Sequence, residues 1–304
     1  MNLLVTGAWQ SANENLSRLE QLGHHIVFMH YENDELPCDY EWVEGVICNG
    51  IFLSHPIEKF TNLRYIQLTS AGFDRVPMDY VKEKNIEIHN ARGVYSIPMA
   101  EFAICGVLDL YKQSRFFTEN QKNHKWEKHR GLLELFGKTV LIVGCGSVGT
   151  ECAKRFKAFG CNIIGVDIYP RDDENYAVVK PFDELDSALA LADVIILTLP
   201  LTEQTKRLIN DNRINKMKTS AILVNIARGA VIDTTALIKA IEKKKISGAV
   251  LDVFEEEPLD INNKLWNMNN IILTPHNSFV GENNAERLEK IILGNIWEKI
   301  DGNY

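Results

Sequence analysis

Lys138-Thr139-Val140-Leu141-Ile142-Val143-Gly144-Cys145-Gly146-Ser147-Val148-Gly149 is the stretch whose reading decides the fold. Residues 138–143 are an apolar, β-branched run that stops at a glycine, which is a strand signal. Beyond Ser147, a helical pattern places Val148, Cys152, Phe156 and Phe159 on one face. A GxGxxG spacing alone is weak, because glycines cluster in many turns. Between a strand and a helix it has a physical meaning. Gly144 permits the tight turn, Gly146 lets the backbone approach a pyrophosphate, and Gly149 lets the helix pack close to the sheet. The helix N-terminus at Ser147 and Val148 then offers N–H groups and a positive dipole end to phosphates.

The next apolar run ends at Asp167, 18 residues beyond Gly149. A carboxylate at that distance accepts hydrogen bonds from the ribose hydroxyls of an adenosine and repels a 2′-phosphate. The expected cofactor is therefore NAD rather than NADP. Arg171 is the one dissenting residue, since an arginine near that position pairs with such a phosphate.

Working outward, short β-rich runs alternate with helical patterns along the chain. Candidate strands cover 3–6, 25–29, 45–48, 65–68 and 86–89, then 139–143, 162–166, 194–198, 221–225, 249–253 and 271–274. Apolar runs spaced by helices indicate parallel strands buried on both faces. A dinucleotide fold opens with the strand before its glycine loop, so the residues ahead of that strand form a separate α/β domain. The expected architecture is two doubly wound parallel-sheet domains. A flavodoxin-like substrate-binding domain takes 1–98 and 281–304, and a Rossmann NAD-binding domain takes 99–280. Long helices over 98–111 and 282–300 read as the two crossings, with a cleft between the domains.

Composition narrows the function. The net charge is −8, and the longest basic stretch, Lys243-Lys244-Lys245, reads as a helix end, so nucleic acid is not an expected partner. The N-terminus lacks the pattern of a signal peptide. The most apolar helical stretch is interrupted by Glu101 and Asp109 and is too short to span a membrane. Six cysteines without a CxxC pair read as reduced thiols of a cytoplasmic protein, and no metal is expected.

Three strings further along carry reactive side chains at the ends of apolar runs: Asn225-Ile226-Ala227-Arg228-Gly229, Glu255-Glu256-Glu257-Pro258 and Thr274-Pro275-His276. An arginine fork holds both oxygens of a carboxylate. A histidine moves a proton near neutral pH, and a carboxylate orients it and stabilises its cation. His276 alone among eight histidines follows Thr-Pro at the end of a candidate strand; His24, His25, His30, His55, His89, His124 and His129 read as surface or packing residues.

With these strings, Ser70-Ala71-Gly72-Phe73-Asp74, Asn90-Ala91-Arg92-Gly93, Thr198-Leu199-Pro200-Leu201-Thr202 and Leu251-Asp252-Val253-Phe254, the chain resembles the D-isomer-specific 2-hydroxyacid dehydrogenase family over nearly its whole length. In plan it resembles a phosphoglycerate dehydrogenase without a regulatory domain. The resemblance implies an NAD-dependent oxidoreductase that moves a hydride to or from C2 of a small 2-keto or 2-hydroxy acid. It makes Arg228 the carboxylate clamp, His276 the acid/base and Glu257, the glutamate directly before proline, its orienter. It places Thr198, Leu199, Pro200 and Ala227 in the cofactor groove and Asp252 against the nicotinamide carboxamide. Ser70, Ala71 and Gly72 would offer backbone N–H groups to the substrate carboxylate. Tyr95 and Ser96 are candidates for the variable end of the substrate, and Arg64, Arg75 and Arg92 for a phosphorylated one.

The sequence departs from the family pattern at Ser70 and Ala71, where many relatives are glycine-rich, and at Asn277 and Ser278, where small apolar residues are common. The resemblance also implies a homodimer. Some relatives use the same fold as NADH-responsive binding proteins, including corepressors, and that is the competing reading. A formate dehydrogenase-like reading is disfavoured by Glu257, where those proteins have glutamine.

Overall fold

The computed structural model describes residues 1–301, with side chains described through Ile296. The expected first-domain assignment of 302–304 lies outside the described residues. The chain forms two compact units. One comprises Met1–Tyr95 and the chain from Gly281 onward, and the other Ser96–Val280.

The first unit is a five-stranded sheet of β1 (Asn2–Thr6), β2 (His25–Met29), β3 (Gly45–Cys48), β4 (Tyr65–Leu68) and β5 (Glu87–His89). Its order is β2-β1-β3-β4-β5 and every pairing is parallel. That is the flavodoxin-like order. The two-residue period of a strand explains its two cores. Leu4, Val46 and Ile66 face one cluster with Phe60 and Val81. Leu3, Val5, Ile47 and Tyr65 face the other. Onto this second face the helix Asn284–Asp301 lays Leu288, Ile292, Leu293 and Ile296. Those positions recur at helical spacing, so one stripe of the helix is apolar. Asn295 Nδ2 also donates to the buried Gln67 Oε1 at 2.7 Å.

The second unit is a seven-stranded sheet. Its strands are β6 (Thr139–Val143), β7 (Asn162–Asp167), β8 (Val178–Pro181), β9 (Val194–Leu197), β10 (Ile222–Asn225), β11 (Gly248–Leu251) and β12 (Ile271–Leu273). The order is β12-β11-β10-β9-β6-β7-β8, again wholly parallel. This is the Rossmann order with one strand added at the β12 edge. Leu141 and Val143 enter one core, Val140 and Ile142 the other. The helix Ser96–Tyr111 covers the second face with Ala100, Ala103 and Val107. It lies so close that a Cβ on Gly106 would stand 2.6 Å from Val250 Cγ1.

The sequence reading has no counterpart to β8. Its four residues, Val-Val-Lys-Pro, include no fully buried position and end in proline. Such a run is tolerated at a sheet edge, where the proline's missing donor costs no ladder bond.

Because all seven strands are parallel, all their carboxyl ends lie along one edge. Gly144, Thr198, Asp252 and Thr274 directly follow β6, β9, β11 and β12; Asp167 closes β7, and Ile226-Ala227-Arg228 follows β10.

Candidate active site

The glycine loop is held by its neighbours. Gly144 adopts φ +97°, and a Cβ there would meet the Leu199 nitrogen at 2.9 Å. Thr198 Oγ1 donates to Gly144 O at 2.6 Å, so the residue after β9 clamps the turn after β6. A Cβ on Gly149 would stand 2.2 Å from Gly144 O, so only glycine lets the helix start this close. Gly146 is different: a Cβ there meets nothing within 4 Å. The helix Ser147–Ala158 has Gly146 as its N-cap and no side-chain cap bond. Its first N–H groups thus face an open cradle, the geometry that a pyrophosphate fits. Leu199 is buried and Pro200 exposed at the adjoining turn.

Asp167 and Arg171 both reach this loop. Asp167 Oδ2 accepts from the Cys145 amide at 2.6 Å and Oδ1 from the Tyr169 amide at 3.0 Å. Arg171 Nη2 donates to Cys145 O at 2.7 Å and lies 3.6 Å from Asp173. The buried Cys145 thiol is pushed up to about 12 by burial, which removes it as a nucleophile.

The three reactive strings are laced together at the ends of β10, β11 and β12. Asn225 closes the first turn, with Oδ1 accepting from the Ala227 amide at 3.1 Å and Nδ2 donating to Arg228 O at 3.0 Å. The half-buried Arg228 donates from Nη1 to Ala227 O at 2.8 Å. Gly229 abuts the second string directly: a Cβ there would stand 1.8 Å from the Phe254 carbonyl carbon.

His276 Nδ1 lies 2.9 Å from Glu257 Oε2. The other Glu257 oxygen accepts from the Phe254 amide at 3.0 Å, which fixes the carboxylate. Of three consecutive glutamates only this one meets the ring. Glu255 pairs with Arg207 at 3.3 Å, and Glu256 is exposed. His276 has φ +51°, an uncommon conformation for a residue with a Cβ. Its amide donates to Asp252 O at 2.7 Å, which helps hold it there. Phe279 stands edge-on to the imidazole, 6.0 Å between centroids.

Asp252, the expected nicotinamide contact, is bound up with the histidine loop. It is fully buried. Oδ1 accepts from Thr274 Oγ1 at 2.7 Å and the Asn277 amide at 2.8 Å, and Oδ2 accepts from the Ser278 amide at 2.9 Å. All three bonds tie the carboxylate to the loop that carries His276. Thr274 and Asn225 are the positioning residues that sequence reasoning missed. Their only signal is a polar side chain at the end of an apolar strand.

Ser70, Ala71 and Gly72 belong to the first unit, just beyond β4. Their carbonyls are all taken: Ser70 O by the Ala91 amide at 2.9 Å, Ala71 O by Asn90 Nδ2 at 2.6 Å and Gly72 O by Ser70 Oγ at 3.2 Å. Among the described residues their three N–H groups meet no acceptor. Tyr95 donates its hydroxyl to Thr69 O beside them. Arg64 is at the other end of β4, paired with Glu44 at 3.0 Å. Ser96 is buried at the start of its helix. Among the described residues no group of three or more His, Cys, Asp or Glu is arranged to hold a metal, and no helix is long and apolar enough to cross a membrane.

The model of the D-isomer-specific 2-hydroxyacid dehydrogenase NAD-binding domain matches residues 104–278. A D-3-phosphoglycerate dehydrogenase of Methanocaldococcus jannaschii is 36% identical over 254 residues, which cover 80% of this chain and 48% of that protein, about half its length. A hydroxypyruvate reductase of Thermotoga maritima is 35% identical over 288 residues, 93% of this chain and 91% of that one. A D-lactate dehydrogenase of Aquifex aeolicus, solved with NAD and lactic acid, superposes with a TM-score of 0.83, at 27% identity over 99% of this chain and 96% of that chain. The chain therefore belongs to the D-isomer-specific 2-hydroxyacid dehydrogenases, a family of NAD-dependent oxidoreductases, and its second unit carries the NAD-binding domain.

Proposed function

We propose that the chain interconverts a small 2-keto acid and its D-2-hydroxy acid, with His276 as the acid/base. The observation that carries this reading is the Glu257–His276 pair, set on the same sheet edge as the glycine loop. NAD(H), held by residues 144–149 with Thr198, Leu199, Pro200 and Ala227 along the groove, supplies or accepts the hydride. Glu257 engages Nδ1, so Nε2 is the atom that exchanges a proton with the substrate oxygen at C2. Arg228 holds the substrate carboxylate through paired donors and polarises the adjacent carbonyl. Asp252 acts at one remove, by fixing the Thr274–Ser278 turn beneath His276.

Ser70, Ala71 and Gly72 offer their N–H groups to the substrate carboxylate, as successive amides in a concave turn do for anions. Asp167 receives the adenosine ribose hydroxyls and selects NAD over NADP. Arg171 supports this selection because its guanidinium is already engaged by Cys145 O and Asp173. Replacing Asp167 by alanine should relax the preference for NADH; an unchanged NADH/NADPH ratio rejects its role.

The expected partner is a second copy of the chain in the cytoplasm. Exposed Phe117, Trp126 and Phe136, with Trp126 at 99%, supply apolar surface for it. Sedimentation of the purified protein as a monomer would remove that part.

The activity is tested by NADH oxidation against glyoxylate, pyruvate, hydroxypyruvate, phosphohydroxypyruvate and branched 2-keto acids. Turnover of at least one is expected. NADH binding without turnover of any would overturn the enzyme reading in favour of an NADH-responsive binding protein.

A further inference from the structure

Arg207 touches two of the three reactive strings. Its amide donates to Ala230 O at 2.7 Å, two residues beyond Arg228. Its Nε meets Glu255 Oε1 at 3.3 Å, two residues before Glu257. No motif of the sequence singles it out.

The segment that carries Arg207 leaves β9 through Thr198, Leu199 and Pro200. Thr205 Oγ1 donates to Pro200 O and accepts from the Thr202 amide, both at 2.7 Å, so the buried Thr205 closes a turn over 200–205. Beyond Arg207 the chain runs beside the residues that follow Arg228. The Ile209 amide donates to Val231 O and the Asp233 amide to Ile209 O, both at 3.0 Å, and Ile209 pairs with Ile232 as a parallel bridge. Arg207 thus stands between two fixed points, the turn after β9 and the turn after β10.

Its backbone is held against preference. Arg207 has φ +49°, the left-handed region that a residue with a Cβ visits at a cost. Glycine or asparagine takes that conformation more readily. An arginine here calls for a reason in its side chain, and the Glu255 pair supplies one. As energy the pair is small, because 62% of the Arg207 side chain is exposed and exposed ion pairs add little to stability. As position it matters. Glu255, Glu256 and Glu257 are consecutive, and an imidazolium attracts any carboxylate within reach. With Arg207 as its counter-ion Glu255 is occupied, and Glu257 is the glutamate that meets the ring.

We propose that Arg207 is a positioning residue for the proton transfer. It holds the Glu255–Pro258 string and the Arg228 turn in register with the loop after β9, and so keeps Glu257 on His276 Nδ1. This role rests on the reading of His276 as the acid/base.

The test is a double-mutant cycle on the whole chain, with NADH and the fastest of the 2-keto acids named above. Arg207→Gln and Glu255→Gln should each lower kcat by roughly threefold to tenfold, within the coupling range of residues in contact. The double variant should be no slower than the slower single one. Arg207→Lys keeps the charge and should recover part of the loss. Melting temperature and NADH affinity should stay near wild type, as an exposed pair adds little to stability. Lys290→Gln, which breaks an exposed pair with Glu286 in the first unit, should leave kcat unchanged. An unchanged kcat in Arg207→Gln, or losses that multiply in the double variant, would overturn the positioning role while the dehydrogenase reading stands. A loss of kcat matched by a fall in melting temperature and not recovered by lysine would overturn it in favour of a structural role alone. No turnover by the wild-type chain would remove the dehydrogenase reading, and this role with it.

Discussion

Glu257 Oε2 lies 2.9 Å from His276 Nδ1, and the same carboxylate accepts the Phe254 amide through its other oxygen. The ring therefore takes its direction from a group that is itself fixed to the backbone. If His276 exchanges the substrate proton, His276→Gln should lower kcat by about 10²- to 10⁴-fold, the usual contribution of a general acid/base. Glu257→Gln keeps the size of the orienting side chain but removes its charge, and should cost less, about tenfold to a hundredfold. NADH titration by fluorescence should show near-normal affinity in both. Retained turnover in His276→Gln would reject the assignment.

The Asp252 carboxylate separates two roles that the sequence cannot. Its three accepted hydrogen bonds all come from the turn that carries His276. Asp252→Ala leaves Thr274 Oγ1 and the Asn277 and Ser278 amides without their acceptor, which costs about 1–3 kcal/mol for each group that stays buried. Amide exchange over residues 274–278 should accelerate and kcat should fall, with NADH affinity changed little. A loss of NADH affinity with unchanged exchange in this turn would instead favour the direct nicotinamide contact that the family resemblance implies.

These two residues show what sequence can carry. The glycine loop is legible because each glycine has its own steric reason and all of them lie within six residues: Gly149 must clear Gly144 O, and Gly144 needs a positive φ. The inner strands of both sheets are legible because parallel strands buried on two faces are continuously apolar, whereas the edge strand β8, with no fully buried residue, is not. Asp252 is not, since two of its three partners are backbone amides 25 and 26 residues away, and an amide has no sequence signature. Glu257 is separated from Glu255 and Glu256 by direction rather than residue type. The open amides of residues 70–72 are visible only once Asn90 and Ala91 are seen to take the carbonyls.

Gly229 joins the arginine turn to the glutamate string. An added Cβ would stand 1.8 Å from the Phe254 carbonyl carbon and 2.4 Å from the Glu255 amide nitrogen. Both are backbone atoms that no side-chain rotation can clear. Gly229→Ala should therefore force apart the segments that place Arg228 and Glu257, at about 1–3 kcal/mol of stability for overpacking of this kind. Activity should fall further than stability does, because a displacement of about 1 Å is enough to cost roughly a hundredfold in a positioned site. Thermal unfolding and kcat/KM measured on one preparation test this; a wild-type melting temperature would show that the two segments are not in contact as described.

At the opposite end of the second sheet, Asp193 ties three strands. Oδ2 accepts from the Thr139 amide at 2.9 Å, Oδ1 meets Lys218 Nζ at 2.9 Å, and its carbonyl accepts from the Ile222 amide at 3.0 Å. Burial alone would raise its pKa, but the Thr139 N–H and the Lys218 charge outweigh burial and hold it below the ordinary 3.8. A carboxylate lowered on folding stabilises the fold above its unfolded value, and that contribution is lost as pH falls through the folded value. Asp193→Asn should thus be less stable than wild type by about 1–3 kcal/mol at neutral pH, the range for hydrogen bonds to a charged group. The gap should persist down to about pH 5 and close only below 3.8, where wild type protonates too. Urea midpoints at pH 7, 5 and 3 measure it, and a gap that does not narrow with acid would show that the Asp193 charge contributes nothing to stability.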